Sequence, residues 1–179
     1  MNEAAGARYA ILLRGVNVGG VTVKMADLRN VLEGLGLEHV RTLLASGNAV
    51  ATSGWDRAEI KVRVEEALRS AFGYDAWVIV LSVPRVAELA AAVPYAPGNP
   101  EVHAYVTFSS DPVVLDELTD RAEAAGAEQV RLGPEAVAWT ADKGSTLESP
   151  FAKEAAKPRY KSATTTRNLR TLQKIAAAE

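Results

Sequence analysis

The residues whose types and spacing could do chemistry lie close together in LLRGVNVGGVTVKM, residues 12–25: Arg14, Asn17 and Lys24, interleaved with Gly15, Gly19 and Gly20. Arginine, asparagine and lysine supply hydrogen-bond donors, and glycines let a backbone approach a ligand closely. The stretch reads as an apolar strand that runs into a glycine-rich loop and emerges at the start of a helix. The first N–H groups of a helix have no intrahelical acceptor and lie at the positive end of its macrodipole, so such a loop suits an anion. It meets neither nucleotide signature. Gly15 and Gly20 have P-loop spacing, but Val21 stands where the phosphate-binding lysine belongs, and there is no G-x-G-x-x-G. The plainer alternative is a structural turn with solvated charges.

Most other chemistry is excluded by composition. There are no cysteines, hence no disulfide, thiol nucleophile or thiolate metal site. The two histidines, His39 and His103, stand apart without a metal-ligand spacing, so no metal is expected. Ser46 has no G-x-S-x-G frame and no evident base, and reads as a turn former. No cofactor signature is present. An enzyme built on these groups would rely on charge stabilisation by Arg, Asn, Ser and Lys rather than on acid–base chemistry.

The elements that must position these residues follow from periodicity. Tyr9–Leu13 is an unbroken apolar run, expected to be a strand buried on both faces. Met25, Leu28, Leu32 and Leu35 recur at helical spacing up to Gly36. Val40–Ala45 and Asn48–Thr52 read as strands joined at Ser46-Gly47-Asn48, where Gly and Asn can take left-handed conformations. Asp56 is a helix cap ahead of Ile60, Val64, Leu68 and Phe72, and Trp77–Leu81 is a further apolar strand. The order strand, helix, strand, strand, helix, strand is the split βαβ, or ferredoxin-like, arrangement. It sets the glycine loop and the Ser-Gly-Asn turn side by side at one edge of the sheet.

After residue 83 comes a short helix from Pro84, then the proline-rich stretch VPYAPGNP; residues 84–100 are read as a joint. Beyond it Val102–Phe108 is a strand, Asp111-Pro112 starts a helix, a hairpin turns at Gly133-Pro134, and Ser145 with Glu148 forms a capping box for another helix. The expected fold class is α+β, with two ferredoxin-like units packed together, residues 1–83 and 101–179. The last strand of the second unit looks replaced by a basic helix capped at Thr164 or Thr165, facing inward with Leu169, Leu172 and Ile175. Arg167 would then lie in its first turn, where a cation opposes the macrodipole and a bound anion would relieve the conflict.

Charge is unevenly spread. The net charge of −2 divides into 0 over residues 1–83, −7 over 84–142 and +5 over 143–179. A basic C-terminal element on an acidic body could contact phosphates or pair with its own acidic neighbours. No apolar run is long enough for a membrane span and the N-terminus lacks the order of a signal peptide, so a cytoplasmic protein is expected.

Three stretches in order, LLRGVNVGG with KMADLRNVLEGLG, then LLASGNAV, then TTTRNLRTLQKI, resemble an uncharacterised bacterial family catalogued as domain of unknown function 1697. The resemblance implies a pair of α/β plaits and no assigned activity. The recurrent polar positions it carries over are Arg14, Asn17, Gly19, Gly20, Lys24, Ser46, Gly47, Asn48, Thr166, Arg167, Asn168 and Thr171. Leu169 stands where that family usually has an aromatic, which weakens any stacking role there.

The first functional expectation is therefore a small phosphate- or carboxylate-bearing ligand, bound where the glycine loop and the Ser-Gly-Asn turn meet and closed by the Thr-Arg-Asn segment. Sequence-independent binding of nucleic-acid phosphates comes second. It ranks lower because the third strand, NAVAT, offers no aromatic for base stacking. Third is a structural or interaction module whose polar residues tie the two halves together.

Overall fold

The computed structural model describes residues 6–16 and 21–178. The protein is mixed α/β, with two four-stranded antiparallel sheets and helices. It divides into two compact units, Met1–Val86 with Lys174–Glu179, and Ala87–Gln173.

The first unit runs β1 (Ala7–Leu13), α1 (Met25–Gly34), β2 (Glu38–Leu43), β3 (Asn48–Ser53), α2 (Arg57–Phe72) and β4 (Val78–Ser82). The sheet order is β2-β3-β1-β4. β1 therefore has a neighbour on each side, and Ala10 to Leu13 are fully buried on both faces, as their unbroken apolar run requires. Ile11 and Leu13 share one core with Leu28 and Leu32 of α1 and Ile60, Val64 and Leu68 of α2. Asp56 caps α2 by accepting from Glu59 N at 2.8 Å, and Gly73 ends it at φ +66°. Glu65 ties α2 to the sheet: its Oε1 accepts from Val78 N at 3.0 Å and from Lys61 Nζ, while that same Nζ donates to Val78 O at 2.8 Å.

The helix from Pro84 is present as α3 (Val83–Ala92). The chain continues as β5 (Val102–Ser109), α4 (Pro112–Ala124), β6 (Gln129–Gly133), β7 (Ala136–Asp142), α5 (Pro150–Ala155), β8 (Thr164–Asn168) and α6 (Leu169–Ala176). The second sheet has the order β6-β7-β5-β8. Its helix-side core joins Leu115, Leu118 and Ala122 to Val137, Trp139, Phe151 and Tyr160. Trp139 stacks between Tyr105 and Phe151, with ring centroids 4.8 and 4.9 Å away.

Three expectations are corrected. The second unit keeps its last strand: Thr164–Asn168 is β8, paired antiparallel with β5, and the helix begins only at Leu169. Three consecutive β-branched threonines favour an extended backbone. The hydroxyl of Thr166 also meets that of Thr107 at 2.7 Å across the pair. Arg167 consequently sits opposite Val106 in a sheet, and the proposed conflict with a helix dipole does not arise. In the β2–β3 hairpin the left-handed residues are Leu44 (φ +57°) and Gly47 (φ +81°), while Asn48 is already strand. Finally, Ser145 does not cap an α-helix: Thr146–Glu148 is a single 3₁₀ turn without a side-chain cap. α5 starts later, where Ser149 accepts from Ala152 N at 3.2 Å and Pro150 fills the first helical position.

Candidate functional site

Of the residues the sequence singled out, Arg14, Lys24, Ser46, Gly47 and Asn48 lie in the first unit and are described. Asn17, Gly19 and Gly20 fall outside the described residues.

Arg14 follows the last residue of β1. Leu13 N donates to Gly47 O at 2.8 Å and Arg14 N donates to Trp77 O at 3.0 Å, so the backbone at this point is tied to the β2–β3 turn on one side and to the lead-in of β4 on the other. Val16 and Val23 are buried in the core of the first unit. The Arg14 side chain is half-buried, and that desolvation lowers the pKa of its guanidinium below the ordinary arginine value. Arginine nonetheless stays charged in proteins, so a cation is held here partly out of water. Lys24 is exposed and is the N-cap of α1, to which its side chain gives no capping bond.

The turn of residues 44–47 packs directly on this edge. A Cβ placed on Gly47 would come within 2.5 Å of Val16 Cγ2 and 3.0 Å of Leu13 Cβ, so only glycine fits between them. Asn48 is fully buried, and its Nδ2 donates to Leu43 O and to Ser46 Oγ, both at 2.9 Å. The asparagine thus closes the turn from inside, and exposed Ser46 is oriented by it. The Gly47 turn thus touches Leu13 and Val16, while residues 17–20 of the glycine-rich stretch lie outside the described residues.

Thr166, Arg167 and Asn168 form the end of β8 in the second unit. Arg167 is buried, and its Nη1 donates to Thr165 Oγ1 at 2.8 Å and to Thr166 O at 2.9 Å. Thr166 shares its hydroxyl bond with Thr107, whose Oγ1 also accepts from Trp139 Nε1 at 3.0 Å. Asn168 Oδ1 accepts from Arg170 N at 2.9 Å and so caps α6. It also borders a hollow of about 40 Å³, which His103, Asn99 and Arg170 help to line. A larger open groove of about 470 Å³ runs along Thr119, Glu123, Gln129 and Arg131 and includes none of the predicted residues. Thr171 lies within α6.

Among the described residues no group of three or more His, Asp or Glu is arranged to hold a metal, and no helix is long and apolar enough to cross a membrane. Sequence reasoning missed Leu44, since nothing in a leucine announces a left-handed backbone. It also missed Thr107, whose hydroxyl only a fold could bring to Trp139.

The sequence model of a family described as "Protein of unknown function (DUF1697)" matches residues 7–137. The chain belongs to this family. The matched DUF1697 region contains Arg14, Lys24 and the Ser46–Asn48 turn and ends before β8. No curated protein matches the chain. Among solved structures, the chain is similar to the conserved bacterial protein SP0830 from Streptococcus pneumoniae, at 27% identity and a TM-score of 0.78, over 97% of this chain and 98% of that one.

Proposed function

We propose that the first unit binds a small phosphate- or carboxylate-bearing ligand at the end of β1, in the cytoplasm. Arg14 and Lys24 would supply charge and Ser46 a hydroxyl; Asn17, Gly19 and Gly20, also proposed for this site, lie outside the described residues. Gly47 and Asn48 act as positioning residues. The observation that carries this reading is the half-buried Arg14 beside a turn locked by Asn48. A cation partly removed from water attracts an incoming anion more strongly than one in bulk solvent. Thr166, Arg167 and Asn168 belong to the second unit, so the proposal rests on the first unit alone. Each unit is read as a ferredoxin-like plait, with residues 84–100 as the joint; the strand orders β2-β3-β1-β4 and β6-β7-β5-β8 support that reading.

A purely structural role is the second reading. It is favoured by Asn48 and Arg167, both buried and both bonded within their own turn or strand. Nucleic-acid binding across the first sheet has less support, because Asn48 to Ala51 of β3 are buried on both faces and leave no platform for bases.

Thermal shift against inorganic phosphate, nucleotides, sugar phosphates and organic acids separates these readings. A stabilising anion whose effect is lost in Arg14→Ala and kept in Arg170→Ala supports the site. No shift with any anion, together with a lower melting temperature for Arg14→Ala, leaves the structural role. Affinity for arbitrary single strands that falls steeply with salt would favour phosphate-backbone binding instead.

A further inference from the structure

The open groove of about 470 Å³ in the second unit lies between a helix and the free edge of a sheet. Thr119 and Glu123 of α4 line one side, Gln129 and Arg131 of β6 the other, and the buried Val137 of β7 adds an apolar patch. The two sides are fixed to each other: Gln129 Nε2 donates to Thr119 O at 2.7 Å, and Arg131 Nη1 pairs with Asp116 at 2.8 Å. In the order β6-β7-β5-β8, β6 pairs with β7 alone, so its outer edge presents backbone N–H and C=O groups to which no described strand is bonded. Val130, at the middle of that edge strand, is 41% exposed, and residues 128–132 contain neither the lysine nor the proline that commonly guard an edge.

The charge of the groove is one-sided. Arg131 is the one cation lining it, and that guanidinium is already spent on Asp116, on Gly133 O at 2.6 Å and on Pro134 O at 3.1 Å. Glu123 and Glu128 also line it, are exposed, and form no ion pair among the described residues. They stand in the stretch 84–142, which carries a net charge of −7. The complement of such a surface is a chain with backbone groups to pair and positive side chains to offer.

We propose that the groove between α4 and β6 binds an extended, lysine- or arginine-bearing segment of a partner protein, which joins β6 as a fifth strand of the second sheet. Main-chain hydrogen bonds to the β6 edge supply affinity, and every second side chain of the segment falls on the groove side. There Glu123 and Glu128 select a cation, and Val137 meets its aliphatic stem. The site belongs to the second unit and is independent of the anion-site reading.

The test titrates the full chain with three end-capped octapeptides: alternating valine and lysine, alternating valine and glutamate, and a fully N-methylated copy of the first. The valine-lysine peptide is expected to bind at least about tenfold more tightly than either of the others, with the largest amide shifts in its NMR titration at residues 128–131. Its affinity should fall about tenfold in Glu123→Gln/Glu128→Gln and stay within about twofold in Glu33→Gln/Glu59→Gln, which removes the same charge from the first unit. The proposal is overturned if the valine-lysine peptide does not bind, if the glutamate peptide binds as well, or if the shifts lie elsewhere. Undiminished binding of the N-methylated peptide also overturns it, by reducing the contact to charge alone. A concentration-dependent dimer that protects amides 129–131 from exchange would assign the edge to a second copy of the chain and overturn it as well.

Discussion

Asn48 Nδ2 holds the carbonyl of Leu43 at 2.9 Å, so the two residues that close the β2–β3 ladder are joined by a side chain as well as by their strand pairing. Because Asn48 is completely buried, truncating it leaves the Leu43 carbonyl and the Ser46 hydroxyl without this donor. Asn48→Ala should lower stability by about 1–3 kcal/mol, as measured by urea denaturation. Asn48→Asp should be no better, since a carboxylate cannot donate to a carbonyl. A loss below a few tenths of a kcal/mol for both would show that the turn does not depend on this amide.

Two glycines with positive φ should respond differently to alanine. Gly36 (φ +94°) has open space where a Cβ would go, so Gly36→Ala should cost about 1–2 kcal/mol from the backbone alone. At Gly47 the same backbone cost is joined by a clash with Val16 and Leu13. Gly47→Ala should therefore cost about 2–5 kcal/mol. Equal losses at the two positions in matched denaturation curves would contradict the close packing at this edge.

Glu65 and Glu33 both form ion pairs within a helix, yet only Glu65 also accepts from a buried backbone N–H. Glu65→Ala should cost about 2–3 kcal/mol, because Val78 N and Lys61 lose a charged acceptor. Glu33→Ala removes an exposed pair with Arg29 and should cost at most about 0.5 kcal/mol. Comparing the denaturation midpoints of the two variants checks the difference.

Alkaline pH should weaken the fold through Tyr160. Burial raises its phenol pKa above the ordinary value, with the charges of Glu117 and Glu154 adding to the rise and Arg121 and Arg159 opposing it. An unfolded tyrosine releases its proton near pH about 10, so above that pH the folded state binds more protons than the unfolded state. Stability is then fully present below pH about 10 and is lost as pH rises toward the folded value. Tyr160→Phe should flatten the fall in melting temperature across the alkaline range. An unchanged slope would place the loss elsewhere, for instance at Tyr74, which burial shifts in the same direction.

The local elements were legible because local physics decides them. Asp56 and Asp111 cap the helices they precede, the unbroken run ending at Leu13 is buried on both faces, and Gly36, Gly73 and Gly126 mark the ends of α1, α2 and α4. What resisted reading was decided by partners distant in the chain. The threonines of β8 suit a strand by their β-branching and a helix cap by their hydroxyls, and β5, which sets Thr107 opposite Thr166, decides for the strand.

By itself, then, the sequence determined the order of strands and helices in the first unit, the polar segments worth attention and the family, since periodicity, caps and motif order are properties of neighbours along the chain. Only the tertiary structure decided that Arg167 is a strand residue, that Asn48 serves its own turn, and that Leu44 takes the left-handed backbone. Each of those depends on which hydrogen-bonding group folding brings within about 3 Å, a distance no spacing in sequence encodes.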